Sequence, residues 1–298
     1  MNGVLQNSEI QPTAAADPRT QIFKWVTQTV DGSTVHGVEN ELLVLQKMLE
    51  KPTIGGGGDG FRAIGIIGVR GIGKSTIARA FLQKSEVKSK FLPRIWISMS
   101  RNFTEDDDPK IALLKRILIT LGVDTKFPGG ETLGSLLYAL RLQLRGKRYL
   151  IVLDDVQEFK TEKEQNDWYW DLNSCEKIGE KLRDGFPKGN GGVVILTSRS
   201  EKAAKAMVGE GNLRCLVPQK DPESFWEIFR QEVVKDGVSI PDEILNFKEL
   251  KVKLLKKCGG LPLIAKMMGE IQFKKELEKK KNTEQKKKID DDEIPTKC

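Results

Sequence analysis

The stretch that decides the fold is Gly68-Val69-Arg70-Gly71-Ile72-Gly73-Lys74-Ser75-Thr76. It follows the apolar run Ala63-Ile64-Gly65-Ile66-Ile67 and leads into the helix-forming segment Ile77-Ala78-Arg79-Ala80-Phe81-Leu82. Buried strand, glycine turn and helix start are the context in which G-x-x-x-x-G-K-[ST] works as a phosphate-binding loop. Gly68, Gly71 and Gly73 let the backbone wrap close to phosphate oxygens, and the N–H groups around Ile72 and Thr76, with the positive end of the helix, receive the charge. Lys74 is predicted to reach the terminal phosphates and Ser75 to offer its hydroxyl to Mg²⁺. A bare glycine turn between packed elements is the alternative, and it leaves the lysine and hydroxyl unexplained.

Working outward, apolar runs alternate with helical patterns. Strands are expected at Phe61–Val69, Arg94–Met99, Arg148–Leu153 and Gly192–Thr197. Helices are expected at Glu39–Leu49, Lys74–Gln83, Pro109–Leu121, near Leu133–Leu144 and near Glu176–Leu182. Strands this continuously apolar, separated by helices, predict a parallel sheet covered on both faces, a three-layer α/β/α unit. Beyond Cys215 the pattern turns helical, at Glu223–Val234, Asp242–Lys257 and Leu263–Lys280, which predicts a small all-helical unit. The expected organisation is a short N-terminal segment (1–34, disordered apart from a short element at Gln21–Val30), a nucleotide-binding domain (35–213), a helical subdomain (214–280) and a charged, disordered tail (281–298). Gly55-Gly56-Gly57-Gly58-Asp59-Gly60 is a loop, since no Lys-Ser/Thr follows it. The insert Phe159–Asn173 carries Trp168, Tyr169 and Trp170, read as local packing ahead of a partner patch.

The formal charge of +7 on 298 residues is not spread evenly. From Lys251 onward there are 14 Lys against 8 acidic residues, so the first 250 residues are close to neutral. That argues against a sequence-specific nucleic-acid surface on the nucleotide domain. The Lys279–Lys281 and Lys286–Lys288 clusters alternate with Glu276, Glu278 and Glu284, which reads first as a solvated helix end and second as a nuclear address or lipid contact. Cys175, Cys215, Cys258 and Cys298 form no C-x-x-C pair, and with a single His neither a zinc site nor a disulfide framework is expected. With no apolar leader and no span of about 20 apolar residues, a cytoplasmic location is expected.

Three further motifs add chemistry. Tyr149-Leu150-Ile151-Val152-Leu153-Asp154-Asp155 is an apolar strand ending in paired carboxylates. Asp154 is assigned to Mg²⁺, directly or through water, and Asp155 to positioning or deprotonating an attacking water. The other reading is an Asp-Asp turn at a strand end. Val193-Val194-Ile195-Leu196-Thr197-Ser198-Arg199 places Arg199 just past a strand, where it is either a surface residue or a sensor of the γ-phosphate. Cys258-Gly259-Gly260-Leu261-Pro262-Leu263 ends one helix on glycines and opens the next on Pro262.

In this order the four motifs resemble the NB-ARC module of plant NLR disease-resistance receptors, signal-transduction ATPases of the P-loop class. The resemblance spans roughly residues 35–270. Val35-His36-Gly37-Val38-Glu39 is similar to the family's adenine-side segment, with Val38 where Arg or Leu is common. Phe91-Leu92-Pro93-Arg94-Ile95-Trp96-Ile97-Ser98-Met99-Ser100, Trp226-Glu227-Ile228-Phe229 and Gly260-Leu261-Pro262-Leu263 resemble further motifs of the family. The resemblance implies an adenine nucleotide, ADP or ATP, with Mg²⁺. It implies Val38 beside the base, Pro262 against the nucleotide and Arg199 as γ-phosphate sensor. It also implies protein partners, either other immune receptors or further copies of the chain. Gln157 departs from the family's Trp or Asp, although Trp96 leans to the non-TIR side. Only about 30 residues follow Gly260-Leu261-Pro262-Leu263, with no room for the winged-helix subdomain or leucine-rich repeats that the resemblance implies. The expectation is a truncated receptor, a natural short form or a partial gene model, retaining nucleotide weakly. A nucleotide-dependent switch is expected first, with a steadily turning-over ATPase or a non-catalytic adaptor as alternatives.

Overall fold

The computed structural model describes residues 35–50, 61–99, 108–126, 130–157, 172, 181–234, 248–275 and 278. Five strands, β1 (Arg62–Ile67), β2 (Arg94–Ser98), β3 (Leu150–Val156), β4 (Val193–Ser198) and β5 (Leu213–Cys215), form one sheet in the order β2-β3-β4-β1-β5. Every pairing is parallel. Around it lie α1 (Glu39–Glu50), α2 (Lys74–Gln83), α3 (Ser85–Lys90), α4 (Pro109–Thr120), α5 (Leu133–Leu144) and α6 (Glu201–Val208). Two more helices, α7 (Pro222–Val233) and α8 (Lys248–Cys258), precede a last one, α9, at 262–275.

Alternate strand residues bury into opposite layers, as the pleat dictates. Ala63, Ile95, Ile97, Ile151, Leu153, Val194 and Leu196 meet Leu113, Ile117, Leu118, Leu136 and Leu140 of α4 and α5. Ile64, Ile66, Val152 and Ile195 meet Leu45 of α1 and Ile77, Ala78 and Phe81 of α2 on the other face. The expected three-layer P-loop fold is therefore present. Phe225, Trp226, Leu254, Cys258 and Ala265 form a separate small core joining α7, α8 and α9. That is the helical unit.

Most expected elements match within one or two residues, but several details differ. β3 continues past Leu153 to Val156 because the pairing with β4 resumes after a register shift. β5 and the short α3 and α6 have no counterpart in the expected list. β5 has only three residues and pairs with β1 alone, so it carries too few positions for a period to emerge. It also runs to Cys215, past the expected boundary at 213/214. Near Glu176–Leu182 the described part is a 3₁₀ turn at Leu182–Gly185. Gln21–Val30, Gly55–Gly60, most of Phe159–Asn173 and the tail lie outside the described residues. From that insert Leu172 is described; it is buried, and its N–H donates to the Met207 carbonyl at 2.8 Å.

The sheet order has one consequence for the site. β4 lies between β1, which feeds the phosphate loop, and β3, which carries the carboxylates. All three strands end on the same edge because all are parallel, so their following residues converge at the crevice beyond the carboxyl ends.

Candidate functional site

The residues 68–73 form the expected turn, and α2 begins at Lys74 with Gly73 as its cap at φ 103°. No acidic side chain occupies the first turn of α2, so its unpaired N–H groups and positive dipole end stay open to an anion. Gly71 also needs its missing Cβ: its φ is 84°, and a Cβ there would lie 3.0 Å from Leu263. The Leu263 N–H donates to the Gly71 carbonyl at 3.2 Å. The helical unit thus touches the phosphate loop directly.

Lys74 is buried and donates from Nζ to the carbonyls of Gly68 at 2.8 Å and Val69 at 3.0 Å. Burial pushes its ammonium below the ordinary lysine range; Asp155 and Asp154 oppose that shift, and Arg199 adds to it. Gly68 is not among the cavity-lining residues but holds Lys74 through its carbonyl, while the other expected residues line the cavity.

Asp154 is buried at the C-terminal end of β3. Its Oδ1 accepts from Ser75 Oγ at 2.7 Å and from Thr197 Oγ1 at 2.6 Å. The Thr197 hydroxyl also accepts from the Asp155 N–H at 2.9 Å. One buried hydroxyl on the intervening strand therefore fixes both carboxylate residues. Asp155 sits in the left-handed region at φ 59°, at the register shift between β3 and β4. Such a bulge re-aims a side chain, and an Asp tolerates the conformation better than most residues. Its carboxylate pairs with Arg199, Nε to Oδ1 at 3.3 Å.

These groups border a cavity of about 1090 Å³, just above the range of about 300–1,000 Å³ for small-molecule sites. Its phosphate-loop end is lined by Gly71, Ile72, Gly73, Lys74, Ser75, Thr76, Asp154, Asp155 and Arg199. Val35, His36, Val38, Ile228 and Pro262 line it elsewhere. Gly260, at φ 73°, sets the approach of Pro262, because a Cβ there would lie 2.6 Å from Pro218 and 2.7 Å from the Gln219 carbonyl.

Sequence reasoning missed several lining residues: Thr197, Arg79, Gln219, Gln231, Glu232 and Lys266. Thr197 stood inside a quoted motif, and a hydroxyl in an otherwise aliphatic strand was the available signal. The α7 and α9 residues gave none, since only the docking of the helical unit brings them to the cavity. There Lys266 pairs with Glu232 at 3.6 Å, and Gln231 bonds the His36 ring.

Residue types and geometry fit a nucleotide phosphate chain with a divalent cation. Asp154 Oδ2 has no hydrogen-bond partner among the described residues, and Ser75 Oγ lies on the same carboxylate. A hard cation takes oxygen ligands of this kind. No helix among the described residues is long and apolar enough to cross a membrane.

Residues 43–239 match the NB-ARC domain family. The chain is 38% identical over 286 aligned positions to the Probable disease resistance protein At4g19060 of Arabidopsis thaliana, covering 80% of this chain and 72% of that protein. It is 35% identical over 268 positions to the Probable disease resistance protein At5g45440 of the same plant, covering 80% and 75%. Among solved structures it is similar to a Signal Transduction ATPase with Numerous Domains (STAND) protein with a tetratricopeptide repeat sensor from Pyrococcus horikoshii. That likeness is at 19% identity and a TM-score of 0.41, over 77% of this chain and 28% of that one. Since the family match takes in the phosphate loop, both carboxylates and Arg199, this chain belongs to the NB-ARC family.

Proposed function

We propose that the chain is an ADP- and ATP-binding regulatory NTPase of plant innate immunity, in which the nucleotide state selects between conformations. One observation carries this reading. Lys74, the Ser75–Asp154–Thr197 bonds and the Arg199–Asp155 pair converge on one cavity that the helical unit also walls through Pro262 and Leu263. A ligand bound there touches both units, so it biases how they sit together. The relatives' names as disease-resistance proteins support the biological setting.

Each residue has a role in this reading. Lys74 and the first turn of α2 bind the β- and γ-phosphates. Ser75 and Asp154 hold Mg²⁺, which when bound would neutralise phosphate charge. Asp155 orients water, and its release from Arg199 accompanies arrival of a γ-phosphate. Val38 and Pro262 hold the adenine. Hydrolysis is slow and resets the state. The α/β unit, ending with β5, and the helical unit that follows it are the two moving bodies, and the location is cytoplasmic.

A protein partner completes the reading. Leu263, Met267 and Ile271 are spaced four apart along α9 and are 41%, 52% and 54% exposed. An apolar stripe on one helix face that starts beside the phosphate loop suits a protein contact.

The test is direct. The purified chain is assayed for co-purifying nucleotide, then titrated with MgADP and MgATP beside Lys74→Ala. Micromolar or tighter binding in the wild type and its loss in the variant are expected. Equal behaviour of the two proteins overturns the proposal, and turnover well above about one per minute favours a working ATPase.

A further inference from the structure

Five Lys and Arg side chains border the cavity: Arg70, Lys74, Arg79, Arg199 and Lys266. Four have partners. Lys74 rests on two carbonyls, Arg199 on Asp155 and Lys266 on Glu232. Arg79 stacks over Trp96, 4.8 Å from the ring centroid. Arg70 is exposed at the tip of the phosphate loop and has no hydrogen-bond, ion-pair or ring partner among the described residues.

Its position in the loop says which end of a ligand it would meet. The carbonyl of Val69, one peptide bond before Arg70, accepts from Lys74 Nζ at 3.0 Å. Arg70 therefore projects from the backbone that holds the phosphate-directed ammonium. A turn needs no cation here, and a third Lys or Arg on the cavity that already holds Lys74 and Arg199 adds to its attraction for an anion. The planar guanidinium presents two parallel donors matched to two oxygens of one phosphate.

Resting on the nucleotide-binding reading above, we infer that Arg70 is a specificity residue for the terminal phosphate, raising the preference for nucleoside triphosphate over diphosphate. The γ-phosphate adds charge and oxygens at the Lys74 end, so a contact made there is absent with the diphosphate. Arg199 gives up Asp155 to make its own contact, whereas Arg70 gives up nothing.

The experiment is a titration of the full chain with a non-hydrolysable ATP analogue and with ADP, both with Mg²⁺. It compares the wild type, Arg70→Ala, Arg70→Lys and Lys74→Ala. Arg70→Ala is expected to weaken the ATP analogue about 10- to 100-fold and ADP less than about 3-fold. Arg70→Lys keeps the charge without the fork and should fall between. The thermal midpoint of ligand-free Arg70→Ala should match wild type, since the side chain is exposed. Equal losses for both nucleotides, or no loss at all, in a protein whose Lys74→Ala variant has stopped binding, overturn the role of Arg70 alone. A wild type that binds neither nucleotide overturns the function and Arg70's role together.

Discussion

Ser75 Oγ and Asp154 Oδ1 lie 2.7 Å apart although 79 residues and one whole strand separate them. The bond joins the start of α2 to the end of β3 over the top of β4. Thr197, at the end of β4, fills the space between with a hydroxyl that serves both Asp154 and Asp155. The geometry around the carboxylates is thus set by a side chain whose own strand contributes no acid.

Replacing Thr197 by Val tests this. The shape is nearly kept, but the half-buried Asp155 N–H loses its acceptor and Asp154 loses a donor. The expected cost is about 1–3 kcal/mol in urea denaturation, with a reduced Mg²⁺ dependence of nucleotide binding. Unchanged stability together with unchanged Mg²⁺ dependence would show that the hydroxyl is dispensable.

Lys74 predicts an opposition between stability and binding. Its folded-state pKa is lowered, chiefly by burial, so between that value and the unfolded value the unfolded chain binds more protons. Stability in this term is smallest where both states are charged, below the folded pKa, and rises as pH climbs through it. Lys74→Met, which keeps much of the volume, should leave the ligand-free protein at least as stable as wild type near pH 7. It should also abolish the rise in thermal midpoint on adding nucleotide. Differential scanning calorimetry with and without ligand reads both effects, and a clearly less stable ligand-free variant contradicts the first.

The start of α7 carries an acid-sensitive cap. Asp221 accepts from the N–H groups of Glu223 and Ser224 and from Ser224 Oγ, and Ser224's hydroxyl leads in holding its carboxyl below the usual aspartate range. A lowered folded pKa gives stability that is complete above the unfolded value and lost as pH falls through the folded one. Asp221→Ala should cost about 1 kcal/mol near pH 7, and the gap from wild type should close as pH falls below the ordinary aspartate range. A gap that stays constant across that range would remove the ionised carboxylate from the cap.

How much of this was legible beforehand depends on where each signal resides. The phosphate loop and Arg199 follow buried strands, and Asp154 and Asp155 stand near the end of another, whose apolar runs mark them plainly. The strand order could not be read, because nothing in Leu150–Val156 states which neighbour it takes. The insertion of β4 between β1 and β3 was therefore hidden, and with it the role of Thr197. Lys266 and Glu232 sit on helices whose patterns report only their own buried faces. Their arrival at the cavity comes from Gly71 meeting Leu263 and Gly260 packing on Pro218, contacts between segments far apart in sequence.

The second of these contacts makes Gly260 a sharp test of how the helical unit is held together beside the cavity. A Cβ would meet Pro218 and the Gln219 carbonyl, and φ 73° disfavours any residue with one. The Gly260 carbonyl also accepts from the Gln219 N–H at 3.1 Å. Gly260→Ala is expected to cost at least about 2 kcal/mol, because the contact at 2.7 Å is with backbone and cannot be relieved by a rotamer change. The loss should fall on the helical unit: hydrogen exchange should rise in α7 and α9 and stay unchanged in β3 and β4. Affinity for nucleotide should fall as Pro262 and Leu263 leave the cavity wall. Protection lost evenly across the sheet and helices would mean that the two units unfold as one, and Gly260 would then be a general packing site with no special part in holding the helical unit together.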